Sequence, residues 1–141
     1  MKVANIIICL SALLLVTVTA QAADDCSSNY TKTGSLASGL QYNTSEAFAG
    51  VAQRQAFQRV YAFTAQNGFT IDISNEDAGL ILASKSESYG HGKAVSLNVT
   101  VKPEGAGSRV IITYATSGAV MSPSAVIQQH FCKTMAAVAQ R

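Results

Sequence analysis

Ala94-Val-Ser-Leu-Asn-Val-Thr-Val-Lys102, Pro103-Glu-Gly-Ala-Gly-Ser108 and Arg109-Val-Ile-Ile-Thr-Tyr-Ala-Thr-Ser117 follow one another without interruption. Val95, Leu97, Val99 and Val101 alternate with Ser96, Asn98, Thr100 and Lys102. Successive strand side chains point to opposite faces, so this spacing makes one apolar face and one wetted face. Val110, Ile112 and Tyr114 repeat the pattern on the second arm. The connector Pro103 to Ser108 holds a proline and two glycines, which predicts a hairpin loop longer than two residues. A sheet with one apolar face needs helices to cover it.

Two helices are predicted outside the hairpin. Thr44 or Ser45 caps the first, with Glu46 in its first turn against the positive end of the helix dipole. Ala49, Ala52, Ala56, Val60 and Phe63 form its apolar stripe, and Asn67-Gly68 stops it. Phe69, Ile71 and Ile73 then alternate with Thr70, Asp72 and Ser74 as a strand. Asn75 to Gly79 makes a turn, Leu80 to Lys85 a second strand, and Ser86 to Lys93 a loop. Ser122 caps the last helix with Pro123 at its first position, and Ile127, Phe131, Met135 and Val138 form its stripe. The expected fold class is α+β: a four-stranded antiparallel meander with two helices on one face, in the order α-β-β-β-β-α.

The 141 residues suffice for one domain. Residues 1–22 read as a signal peptide: Lys2, an apolar run from Ile6 to Val18, and Ala20-Gln21-Ala22 before the cleavage point. The alternative is an uncleaved anchor, but the apolar run is short of the about 20 residues that a membrane span needs. Residues 23–44 read as an extended polar arm, with room for one short strand, and residues 45–141 as the single α+β domain. This predicts a periplasmic or secreted protein with no stable membrane insertion after cleavage. Without Lys2, nine basic residues face eight acidic ones. Such balance, with no clustered Lys and Arg, argues against nucleic acid.

Of three cysteines, Cys9 leaves with the signal, and Cys26 and Cys132 remain near the two ends. Export to an oxidising compartment predicts a disulfide between them. Two free thiols, or a lipid anchor on Cys26, are the alternatives. Asn29, Asn43 and Asn98 begin Asn-x-Ser/Thr triplets, which a chain this rich in Ser and Thr acquires by coincidence.

The run Ala56 to Lys85 contains a helix, an Asn-Gly-Phe exit, a strand, an acidic turn and Ala-Gly-Leu-Ile. In this order it resembles the domains of the outer-membrane assembly lipoprotein BamC and similar envelope domains, over roughly Ser45 to Gln140. The resemblance implies a helix-grip sheet and a role in protein–protein contact. The chain departs from that family in having one such domain and no lipid-anchor signal. No binding residue carries over by position.

Catalytic and ligand patterns are not evident. His91 and Lys93, with Tyr89 just before them, lie in a glycine-flanked loop fit to touch an anionic group or to make a pH-sensitive contact, or simply to be solvated. His130 reads as a boundary residue on the last helix. Two isolated histidines predict no zinc site. Asp72, Glu76 and Asp77 lack the calcium-loop order of ligands and read as turn residues. No metal or cofactor is expected. Val51 and Tyr61, apolar on the otherwise polar side of the first helix, are candidates for half of a contact patch. The expectation is a non-enzymatic envelope protein with a protein partner. The alternatives are a small-ligand-binding domain, and a periplasmic inhibitor or immunity protein of a hydrolase that uses the His91 loop as a plug.

Overall fold

A computed structural model describes residues 25–86, 94–118, 120 and 122–140. The signal segment and the loop carrying Tyr89, His91 and Lys93 lie outside the described residues. The elements are α1 (Asp25–Ser28), β1 (Thr31–Ser35), β2 (Gly39–Phe48), α2 (Gln53–Gln66), β3 (Thr70–Asn75), β4 (Leu80–Ser86), β5 (Ala94–Glu104), β6 (Gly107–Thr116) and α3 (Ser124–Ala139). The strands form a six-stranded sheet in the order β1-β2-β6-β5-β4-β3, with every neighbouring pair antiparallel.

The alternation in β5 and β6 sets the inner face. Val95, Leu97, Val99, Val101, Val110, Ile112 and Tyr114 are all buried. Because directly paired residues of an antiparallel ladder share a face, this register carries inwardness to both sides. Ile81 and Ala83 follow it in β4, and Leu40 and Tyr42 in β2. The stripes of α2 (Ala56, Phe57, Val60) and α3 (Ile127, Phe131, Met135, Val138) close over that face.

The four-stranded expectation is wrong, and β1 and β2 are the reason. The predicted polar arm contains α1, β1 and the first half of β2, and the predicted start of the first helix is the second half of β2. In β2, Leu40, Tyr42, Thr44, Glu46 and Phe48 all point inward and are buried. Two polar residues in that row hide the period of two. Ser45-Glu46 imitates a helix start by composition, while tertiary pairing with β6 holds it extended, Ser45 opposite Ile111 and Glu46 opposite Val110. The first helix begins eight residues later, at Gln53, after Gly50 at φ 75°.

Two smaller expectations also shift. The β5–β6 ladder runs on through Pro103↔Ser108 and Glu104↔Gly107, leaving only Gly105 and Ala106 as the turn. Gly107 is needed there because a Cβ would lie 2.0 Å from the Phe48 carbonyl oxygen, where β2 leaves the sheet. The last helix starts at Ser124, one residue later than expected, with Pro123 as its cap residue. Ser122 instead serves the core: its carbonyl accepts from the Tyr42 hydroxyl at 3.0 Å, and its Oγ lies 3.3 Å from the Tyr114 hydroxyl.

Cys26 and Cys132 form a disulfide with Cα atoms 5.4 Å apart, tying α1 to α3. The Thr44 hydroxyl donates to the Cys26 carbonyl at 2.8 Å, so the same short helix is fastened to β2. Among the described residues no helix is long and apolar enough to cross a membrane. The disulfide is compatible with an exported protein.

Candidate functional site at the β3 edge

β3 closes one side of the sheet. Among the described strands it pairs only with β4, so its outer backbone N–H and C=O groups face away from the sheet. The β3–β4 register slips between Ile71 and Ile73: Ile71 opposes Ala83, but Ile73 opposes Leu82. Asp72 is therefore the extra residue of a bulge, and such a residue breaks the alternation of side chains. Ile71 stays inward and half-buried, whereas Ile73 turns to the outer face and is 51% exposed. Ser74, expected outside, now shares the inner face with Ile81.

Inside β3 lies an open hollow of about 230 Å³, lined by Phe57, Gln58 and Tyr61 of α2 and by Ser74 and Glu76. Phe57 and Tyr61, one helical turn apart, stack with centroids 6.5 Å apart and planes 23° apart. Tyr61 is 39% exposed. The Arg54 guanidinium, one turn before Gln58, reaches Glu76 with Nε 2.5 Å from the carboxylate. Arg54 itself is mostly in water, so the pair contributes little to stability. Gly79 ends the turn below the hollow: its carbonyl accepts from Val101 N–H at 2.7 Å, and a Cβ there would strike the Val101 carbonyl.

A second group of side chains gathers where α2 ends. His130 lies half-buried between the rings of Phe63 and Phe69, at centroid distances of 5.7 and 5.8 Å. Lys85 sits 5.6 Å from the Phe69 centroid and donates to the Asn67 carbonyl at 3.4 Å. Burial first, then the charges of Lys85 and Lys133, holds the His130 pKa below the usual histidine value. Among the described residues, the neighbours that act on it are aromatic and cationic. Among the described residues no three His, Cys, Asp or Glu side chains come together as metal ligands.

No known protein family matches the chain, and no curated protein matches it. Among solved structures it is similar to EF2215 from Enterococcus faecalis, a conserved protein of unknown function. That match has a TM-score of 0.51 at 8% identity, covering 82% of this chain and 79% of the other. It is also similar to Ara h 8.0201 (TM-score 0.47, 13% identity, 69% of this chain and 94% of that one). A third is CalU16 from Micromonospora echinospora (TM-score 0.46, 11% identity, 73% and 90%). The likeness to EF2215 shows a shared α+β fold and nothing about activity. The other two, below 0.5, add no argument, and none of the three is a BamC domain.

Of the residues singled out by sequence, Tyr61 lines the hollow, while Val51 packs against the core at the entry to α2. They do not form one patch. Phe57, Ile73, Ser74 and Glu76 were not anticipated as site residues. Glu76 reads as turn chemistry and Ile73 as core, since one inserted residue in β3 leaves no mark in the sequence.

Proposed function

We propose that this chain is an exported, non-catalytic protein that binds another protein of the cell envelope through the β3 edge. One observation carries this reading. Among the described residues the outer strand β3 pairs on one side only, with an apolar side chain, Ile73, on one face and an aromatic-walled hollow on the other. Sheet edges recruit extended partner segments through main-chain hydrogen bonds, and flanking pockets select the side chains.

The test is position-resolved crosslinking in cells of the native host. A photoreactive p-benzoylphenylalanine replaces Tyr61, Ile73 or, on the opposite edge, Lys32. The proposal expects one exported protein joined at positions 61 and 73 and not at 32. Crosslinks only at 32, or the same set at all three, would overturn it.

A small ligand held between sheet and helices, as helix-grip folds allow, is the second reading. Two buried hydroxyls favour it: Thr64 Oγ1 and Ser108 Oγ have no hydrogen-bond partner among the described residues. Against it, Tyr42, Phe131, Ile112 and Met135 fill that space with at most 1% exposure each. Native mass spectrometry of the protein taken from its own compartment, without refolding, separates the two. A small added mass that leaves on activation supports the ligand.

A further inference from the structure

The proposed β3 docking edge also has a chemistry that specifies what it takes. From Thr70 to Gly79 the chain carries Asp72, Glu76 and Asp77 and no lysine or arginine, three of the eight acidic residues in ten positions. The opposite edge, β1, carries Lys32 and no acid. The hollow has two stacked rings for walls and the Glu76 carboxylate at its rim, a combination that attracts a cation. Arg54, a residue of the same chain, already supplies a guanidinium to that carboxylate.

We infer that the β3 edge receives an extended segment whose side chains alternate between apolar and cationic, with a lysine or arginine replacing Arg54 at Glu76. An added strand lies about 4.8 Å from β3, and its successive side chains go to opposite faces. One set meets Ile73 and its cross-strand neighbour Leu82 on the outer face. The other set enters over Tyr61, Ser74 and Glu76. Arg54 is 79% exposed, so releasing it to water costs little and the exchange of one cation for another is close to balanced. Hydrogen bonds to the strand edge and apolar contact with Ile73 then decide the outcome. The bulge at Asp72 limits the regular edge to a few residues, so the segment is short. The inference rests on the binding role proposed above and adds the character of the partner.

The experiment uses the full mature chain at low, fixed ionic strength. The probes are a seven-residue amidated peptide alternating lysine and valine, and its glutamate–valine counterpart. Backbone amide shifts locate binding and titration gives affinity. The lysine peptide should shift β3 amides and leave β1 unmoved, and should bind at least about tenfold tighter than the glutamate peptide. Arg54→Ala should tighten it a few-fold by vacating the carboxylate, and adding Glu76→Gln to that variant should remove the gain. Equal affinity for the two peptides overturns the inference, as does an Arg54→Ala chain that binds no tighter. Concentration-dependent self-association abolished by Lys32→Ala also overturns it, assigning the β3 edge to β1 of a second copy. A partner crosslinked at Ile73 without lysine-peptide binding sinks only this chemistry. Lysine-peptide binding without any crosslink at 61 or 73 sinks the cellular binding role instead.

Discussion

The two edges of the sheet are built differently. At the β1 side, β2 and α3 are stitched together by several independent means. The Cys26–Cys132 disulfide joins α1 to α3, and the Tyr42 and Tyr30 hydroxyls donate to the carbonyls of Ser122 and Ser124. The Tyr30 ring packs on Tyr42 and on Phe131. At the β3 side the Arg54–Glu76 ion pair spans an open hollow between helix and strand. One side spends its side chains on cohesion. Both sides end in a strand edge, but the β3 side adds an exposed isoleucine and an open, aromatic-walled hollow beside it, and such features are what a binding partner needs.

The largest effect expected from this contrast is at the disulfide. It closes a separation of 106 residues, for which the chain-entropy account gives on the order of 4 kcal/mol. The Cys26→Ser, Cys132→Ser double variant should unfold at a much lower urea midpoint, with a steeper slope because the unfolded chain is no longer cross-linked. A midpoint unchanged from the parent chain would show that the β1 side does not depend on its covalent tie. Tyr42→Phe comes next. It removes the donor to the Ser122 carbonyl while keeping the ring, and should cost about 1 kcal/mol by the same urea measurement. A neutral result would mean that water satisfies Ser122 equally well.

The same contrast governs what was legible in the sequence. The β5–β6 hairpin and the α3 stripe were readable because each apolar residue sits at its proper period: Val95 to Val101 in twos, and Ile127, Phe131, Met135 and Val138 in threes and fours. The disulfide followed from arithmetic. β2 was not readable, because Thr44 and Glu46 occupy inward positions and their inwardness comes from pairing with β6, a contact of long sequence separation. β1, exposed throughout and containing Gly34, has no periodicity to read. At the candidate site, Tyr61 stood out as an aromatic among polar helix residues. Ile73 did not, since a perfect apolar alternation in sequence is re-phased by one bulged residue in space. Local pattern exposes elements that satisfy themselves and conceals those that depend on a neighbour.

His130, on the β3 side, gives the contrast a pH axis. The rings of Phe63 from α2 and Phe69 before β3 enclose it, and the cations nearby are Lys85 from β4 and Lys133 from α3. Its folded pKa is depressed, so the unfolded chain takes up the proton first as pH falls. The stability it contributes is present above the ordinary histidine value of about 6.5 and is lost as pH falls from there through the folded value. Urea midpoints measured from pH 7.5 to 5 should decline across this window, and His130→Gln should flatten the decline. An equally steep decline in the variant would place the acid sensitivity elsewhere.

The smallest stability effect should come from the residue on which the binding reading most depends. Ile73 is half in water on the outer face of an edge strand, so Ile73→Thr keeps the β-branch that suits a strand and gives up little burial. The change in unfolding free energy should stay within about 0.5 kcal/mol. In the same variant, the lysine–valine peptide should lose affinity, because the outer-face contact of the added strand is gone. The pairing of these two readouts is what matters. A residue retained for the core would move stability first and binding only as a consequence. If Ile73→Thr destabilises the chain by as much as Tyr42→Phe does, the β3 side is as cohesive as the β1 side. The exposed isoleucine would then be a structural element of the sheet and not a surface held for a partner.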